Sequence, residues 1–140
     1  MNSTYWLNKI MDTMYTSASS EFWVGLSSTM PSQDGTGVSE PTGGNYARVK
    51  IEQFTTPSDG TIKNVSALEF NRSTTVWFDS DHKARYWVLF DGSTSAAKLL
   101  SSGELDEAKT IESNTSITIA AETLSITLTD YNPAMKHYPK

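Results

Sequence analysis

The chain has 140 residues, a formal net charge of −5 and no cysteine. This is the length of one globular domain, and the missing thiols exclude a disulfide scaffold and a thiolate zinc site. The acidic balance without a basic run argues against nucleic-acid binding, and no apolar run reaches the ~20 residues of a membrane span. Ser and Thr form about a quarter of the chain while charged residues form 19 %, a polarity typical of β-structure. The first twenty residues lack the features of a signal peptide, so we expect synthesis and folding in a cytosol.

The N-terminal segment is the one stretch with helical spacing. Residues 2–15 carry apolar side chains about 3.6 residues apart, which predicts a short helix. The stripe consists of Trp6, Leu7, Ile10, Met11 and Met14. Two interpretations of it stay open: the helix packs this stripe on the body of the domain, or it is an arm that docks on a partner.

From residue 21 onward the pattern has a period of two. Strands are predicted at residues 22–27, 46–54, 61–65, 67–71, 85–90, 97–105, 116–119 and 124–128. The run 85–90 is the most apolar and predicts a central strand. A loop rich in Gly and Pro, residues 28–45, separates the first two strands, and such long loops are usually functional or contact a neighbour. The last two strands alternate apolar and hydroxyl residues, so one face should be buried.

The order of these elements predicts a mainly β fold. Short strands joined by Gly, Pro and Asp turns indicate an antiparallel β-sandwich, jelly-roll-like or Ig-like, of about eight strands with one short N-terminal α-helix. Parallel α/β architecture is excluded because helical crossovers are missing. We divide the chain into a helical arm (1–20), a single β-sandwich domain (21–130) and an extended C-terminal tail (131–140).

Residues that can carry chemistry are few. His82 lacks a Gly-x-Ser-x-Gly nucleophile elbow, so a Ser-His-Asp triad is not expected. Asp79, Asp81 and His82 are three candidate metal ligands within four residues, but a solvated turn explains them better. Sugar hydrolysis needs two converging carboxylates, and nothing in the sequence directs any two to one point. The candidates are Glu40, Glu69, Glu104, Asp106 and Glu107, of which the last three suggest a solvated strand end. We expect no enzyme, no cofactor and no metal.

The aromatic residues and one arginine complete the candidates. Trp23 and Trp87 lie in apolar strand runs, which favours core packing. An exposed Trp77 beside Asp79 and Asp81 would suit stacking on a sugar ring. Arg48 lies in the strand predicted immediately after the glycine-rich loop, and its rigid fork is predicted to hold loop carbonyls or a carboxylate and so anchor the loop to the sheet.

Three stretches resemble a family of small tailed-bacteriophage virion proteins, often labelled phage tail fibre or minor structural proteins. They are residues 23–31 (WVGLSSTMP), 35–41 (GTGVSEP) and 43–49 (GGNYARV). The family pattern is an apolar strand ending in G-L-S-T-x-P, then E-P-x-G-G-x-Y-A-R, then a Trp-containing segment before a strand ending in F-D. Residues 70–78 and 87–91 are similar to these later parts, and a final hairpin at 116–128 resembles the C-terminal strands.

The resemblance implies a non-enzymatic structural protein on a virion surface. It would be a capsid decoration (cement) or tail-attached protein, contacting major capsid or tail proteins and forming a homo-oligomer, such as a trimer. The alternative is a carbohydrate-binding receptor-recognition module of the adsorption apparatus, with a host surface glycan as partner. The candidate interface residues are Trp6, Ile10, Met14, Met30, Pro31, Pro41, Tyr131 and Tyr138.

Overall fold

The computed structural model describes residues 3–16 and 21–128. It begins with α1 (Thr4–Met11), which continues into a π-helical turn at Asp12–Thr16. The Ser3 hydroxyl caps the helix by accepting a hydrogen bond from the Trp6 N–H at 3.2 Å. The predicted short N-terminal helix is therefore confirmed.

The apolar stripe of α1 divides between the core and solvent. Met11 is buried at 1 % exposure, whereas the side chains of Trp6 and Met14 are 48 % and 47 % exposed. The helix is held to the sheet region by the backbone N–H of Gly60, which donates to the Asn8 side-chain oxygen at 2.6 Å. One part of the stripe thus packs inward, and another part remains uncovered.

Residues 21–128 form eight strands, and all of their named pairings are antiparallel. They are β1 (Phe22–Ser27), β2 (Val49–Ile51), β3 (Thr61–Lys63), β4 (Leu68–Glu69), β5 (Ala84–Phe90), β6 (Leu99–Lys109), β7 (Thr118–Ile119) and β8 (Ser125–Thr127). A four-stranded sheet has the order β2-β1-β5-β6, and two-stranded sheets form from β3 with β8 and from β4 with β7. The mainly β, antiparallel fold is confirmed and is consistent with a β-sandwich. β5 lies inside the large sheet, as its apolar run predicts. Among the described residues, no helix has the length and hydrophobicity required to cross a bilayer.

The predicted hairpin at 116–128 is wrong, because β7 and β8 do not pair with each other. Ile119 lies opposite Leu68 of β4, and Ile126 lies opposite Ile62 of β3. The fully buried Asn64 bonds to the turn that connects them. Its amide donates to the Ala120 carbonyl at 3.0 Å and its oxygen accepts from the Leu124 N–H at 2.9 Å. The connection between the strands is thereby tied to Asn64.

The strand predicted at 46–54 contains only three ladder residues. Ile51 lies opposite Phe22, the first residue of β1, so the chain beyond Ile51 has no partner in this sheet. It bridges instead to the β3 side, where Phe54 lies opposite Asn64. On the other side, the Leu26 N–H bonds to the Tyr46 hydroxyl rather than to a strand backbone. The segment therefore connects the two sides of the fold.

The core forms against one face of the large sheet. Val24 and Leu26 of β1 lie opposite Leu89 and Trp87 of β5, and all four belong to the main apolar cluster. The two central strands are buried on their other face as well, where a Cβ placed on Gly25 would lie 2.3 Å from the Glu40 carboxylate. The loop between β1 and β2 thus covers the second face of the sheet.

Candidate functional site

The motif that carries the family resemblance folds into one connected group. Glu40 from the loop and Tyr46 and Arg48 from the approach to β2 converge beside Gly25 of β1, and we call these four residues the Glu40 cluster. The side chains of Arg48 and Glu40 are 10 % and 16 % exposed. A charged pair with so little water contact is stable only when its remaining polar atoms are also bonded.

Arg48 forms bonds in three directions. Its Nε and Nη2 donate to the two carboxylate oxygens of Glu40 at 3.1 and 2.7 Å, a bidentate arrangement. Its Nη1 donates to the carbonyls of Gly92 at 3.1 Å and Thr94 at 3.0 Å, in the turn after β5. The guanidinium also lies 3.6 Å from the centre of the Phe90 ring. The carboxylate belongs to the 28–45 loop, whereas the carbonyls belong to a different turn.

Tyr46 completes the coordination of the carboxylate. Its hydroxyl donates to Glu40 Oε2 at 2.6 Å and accepts from the Leu26 N–H at 3.0 Å. Its ring packs edge-on against Trp77, with ring centres 5.1 Å apart. Burial, followed by the adjacent Glu40 charge, raises the pKa of the Tyr46 phenol well above its ordinary value. The phenol therefore stays neutral and serves as a fixed hydrogen-bond donor.

Two glycines allow close approaches here: Gly25 leaves room for Glu40 and Tyr46, and Gly44 lies against Thr75 and Trp77. A Cβ on Gly25 would lie 2.7 Å from the Tyr46 hydroxyl in addition to its contact with Glu40. Gly44 has a φ of +61°, and a Cβ there would lie 2.1 Å from the Thr75 hydroxyl oxygen. The sequence prediction missed the role of Gly25. A glycine inside an otherwise apolar strand is the signal that could have revealed it, because it often marks a close approach of another group.

Ser27 closes the base of the same loop and was also missed. This fully buried residue accepts hydrogen bonds at its Oγ from the backbone N–H groups of Thr29 at 3.2 Å and Ser39 at 2.9 Å. Its hydroxyl donates to the Thr29 carbonyl at 2.7 Å. A serine among so many serines carries no distinguishing signal in the sequence. Together with the Glu40 cluster, Ser27 fixes both ends of the loop.

The predicted sugar platform at Trp77 is wrong. The indole is buried at 7 % exposure, and its N–H donates to the Gly44 carbonyl at 2.8 Å. Trp87 is buried to the same extent, as predicted, while Trp23 is half-buried and its indole N–H donates to Glu21 at 3.1 Å. The Trp77 ring is therefore part of the packing beneath the glycine-rich turn.

Asp79, Asp81 and His82 form a capped turn at the surface. One carboxylate oxygen of Asp79 accepts from the backbone N–H groups of Asp81 and His82 at 3.0 and 2.8 Å. The His82 ring lies 3.1 Å from the same oxygen, and this contact lowers the pKa of Asp79. Within residues 3–16 and 21–128, no three His, Cys, Asp or Glu side chains are arranged to hold a metal ion.

Three of the candidate carboxylates line one groove. Glu104, Asp106 and Glu107 lie on β6, within the strand rather than at its end, beside a cavity of about 160 Å³ between this strand and the β7–β8 segment. We call it the β6 groove. Its apolar lining comes from Leu26, Trp87, Leu105, Ile117, Ile119, Ala120 and Leu124. Glu69 lies elsewhere, exposed on β4, and Glu40 is bonded in its cluster. The sequence alone did not indicate a groove beside these residues.

The candidate interface residues differ in accessibility. Met30 is 73 % exposed and Trp6 and Met14 are about half exposed, so all three present apolar surface to solvent. The remaining described candidates, Ile10, Pro31 and Pro41, are half-buried. Tyr131, Tyr138 and the predicted tail 131–140 lie outside the described residues.

Fold and site together define a small β-domain whose motif residues hold its own surface loop in place. The model of the family described as podophage GP4 fiber I protein gp80 matches residues 1–127, and the chain belongs to this family. Its members are structural proteins of tailed-phage virions, which confirms the resemblance inferred from the motif. Comparison with curated proteins finds no match.

Proposed function

We propose that the chain is a non-enzymatic structural subunit on the surface of a tailed-phage particle, acting through subunit contacts. The observation that supports this most is the extent of the family match, which covers the described fold almost completely. The second support is the use of the motif. Both Glu40 oxygens and every Arg48 nitrogen accept or donate a bond within the chain, so these residues stabilise a scaffold.

Attachment to the tail is favoured over capsid decoration. The matching family is described by a fiber protein, and in this proposal the fibre is carried on the tail. The carbohydrate-binding alternative requires an exposed Trp77 to stack on a sugar ring, and this side chain is buried. In this proposal the chain needs no cofactor, and its partners are other virion proteins.

The exposed apolar side chains provide the contact anchors in this proposal. Tyr5 at 71 % and Trp6 at 48 % exposure lie on α1, and Met30 at 73 % lies in the loop. Aromatic and methionine side chains are enriched in the centres of interfaces. With charged residues at 19 % of the chain, much surface can be covered without desolvating charges.

Reconstitution on particles that lack the subunit tests the proposal. We expect the purified chain to co-sediment with such particles and to appear at the tail when tagged and imaged. Trp6→Ala combined with Met30→Ser should reduce incorporation by about tenfold. Val76→Ser is the matched control, because Val76 is also an exposed apolar residue at 55 %. Failure of the unmodified chain to bind particles would overturn the proposal, and binding only at capsid faces would reject the tail location.

A further inference from the structure

The longest strand of the large sheet has an open side. β6 spans 11 residues and pairs with β5, and no other described strand bonds to its outer edge. The backbone groups along this edge are available to an added strand, a common mode of peptide recognition.

Three surface cavities border this strand. One lies beside residues 107–109, the β6 groove beside residues 104–107, and one beside residues 99–102 next to Pro31. The β6 groove combines an apolar floor with the carboxylates of Glu104, Asp106 and Glu107 and one cation, Lys109, which lies 3.9 Å from Glu107, so its lining is acidic on balance. A segment that fits it would have an extended backbone, apolar anchors and basic flanks.

The last twelve residues of the chain have this composition. Residues 129–140 contain Lys136 and Lys140 against a single acid, Asp130, within a chain of net charge −5. Met135 and Tyr138 supply apolar anchors beside these lysines. We propose that residues 129–140 of a second copy of this chain dock along the β6 edge, with their lysines near the carboxylates of the β6 groove.

The direction of β8 favours a second copy over the same chain. Thr123 and Leu124, at the start of this segment, line the β6 groove, whereas Leu128 bonds to the Gly60 carbonyl at the other end. Up to Leu128 the described chain therefore runs away from its own groove. Direct pairing of two β6 edges is disfavoured, because the pairing of β6 with β5 shifts register at two places and an edge-to-edge contact brings acidic residues together.

Sedimentation equilibrium of the full chain tests this inference without any particle, so it is independent of the proposed place in the virion. We expect the unmodified chain to self-associate at micromolar concentration. The edge variant, Glu104→Lys with Asp106→Lys, and the tail variant, Lys136→Glu with Lys140→Glu, should each weaken association at least ~tenfold. Mixing the two variants should restore association, because the lysines on the edge variant's β6 then face the glutamates in the tail variant's C-terminal segment. Glu52→Lys, an exposed acid on the other side of the sheet, should have no effect.

Three results would overturn the inference. The first is an unmodified chain that remains monomeric at concentrations about 100-fold above micromolar. The second is an assembly that the tail variant leaves intact, which would indicate an occupant other than residues 129–140. The third is an edge variant with unchanged association, and circular dichroism of both variants establishes that they are folded.

Discussion

The Glu40 cluster and the β6 groove both present carboxylates, and their surroundings differ completely. Glu40 is 16 % exposed and accepts three hydrogen bonds from Arg48 and Tyr46. Glu104 and Asp106 are exposed on an unpaired edge, and Glu107 has one Lys109 contact at 3.9 Å. The comparison shows that residue type alone does not identify a site. Carboxylates that are fully bonded inside the chain maintain its shape, whereas unbonded ones remain available to a partner.

The largest loss of stability is expected when the cation of the Glu40 cluster, Arg48, is removed. Arg48→Met leaves the Glu40 carboxylate with little water and without its charged partner, and breaking such a pair costs about 3–5 kcal/mol. Urea unfolding measures the loss. The double variant Glu40→Gln with Arg48→Met should be much less than additive, because the unpaired charge is gone. Additive losses would show that the two residues do not act as a pair.

The next effect comes from filling the space beside Gly25. Gly25→Ala places a methyl group 2.3 Å from the Glu40 carboxylate oxygen and should destabilise the fold by about 2–3 kcal/mol. Gly43→Ala is the matched control, because no atom lies within 4 Å of its added Cβ. Its positive φ should cost only about 1 kcal/mol. Equal losses for the two variants would contradict the packing role of Gly25.

Tyr46→Phe should have a smaller effect that depends on pH. It removes a donor to Glu40 and the acceptor of the Leu26 N–H, which costs about 1–3 kcal/mol at neutral pH. The folded-state pKa of Tyr46 lies above the ordinary value of 10.0, so the stability linked to its proton is complete below pH 10. Above pH 10 the unfolded chain releases this proton first, and stability falls as pH rises toward the folded-state pKa.

Urea unfolding between pH 8 and 11 checks this dependence. The unmodified chain should lose stability more steeply above pH 10 than Tyr46→Phe, by up to about 1.4 kcal/mol per pH unit. Tyr15→Phe is a useful comparison, because burial alone raises the pKa of Tyr15 and no carboxylate contributes. A Tyr46→Phe variant that keeps the full alkaline loss would rule out the role of this phenol.

The smallest effect on stability is expected at the β6 groove. Glu104→Lys changes an exposed side chain on an edge strand, so its unfolding free energy should shift by no more than about 0.5 kcal/mol. Its effect should appear in self-association instead. If Glu104→Lys destabilised the fold as much as Arg48→Met, the proposed difference between the β6 groove and the Glu40 cluster would be wrong.

Part of this arrangement follows from the sequence. Local patterns predicted α1, the central strand β5 and the buried side of β8, because the period of apolar residues reflects burial directly. The motif also placed Arg48 next to a loop that it could hold. These features depend on neighbours in the chain or on one face of one element.

The rest depends on contacts between distant segments. The hairpin at 116–128 was predicted because adjacent strands usually pair. The buried Asn64 that holds the turn between them resembles any loop asparagine in the sequence. The shortening of the strand at 46–54 depends on where β1 begins. The groove beside Glu104, Asp106 and Glu107 depends on how the β7–β8 segment packs near β6. None of these relations has a local pattern.

The partners of the last two strands also set an order of events during folding. Thr61 of β3 bonds to Thr127 of β8, which lies 66 positions later in the chain. β4 likewise pairs with the distant strand β7. Both small sheets therefore close only after the C-terminal strands have been synthesised, while the β1–β5–β6 sheet can form earlier. Contacts of such separation slow folding. A nascent chain that stops before residue 118 would expose the apolar faces of β3 and β4, and this intermediate is the one most exposed to aggregation.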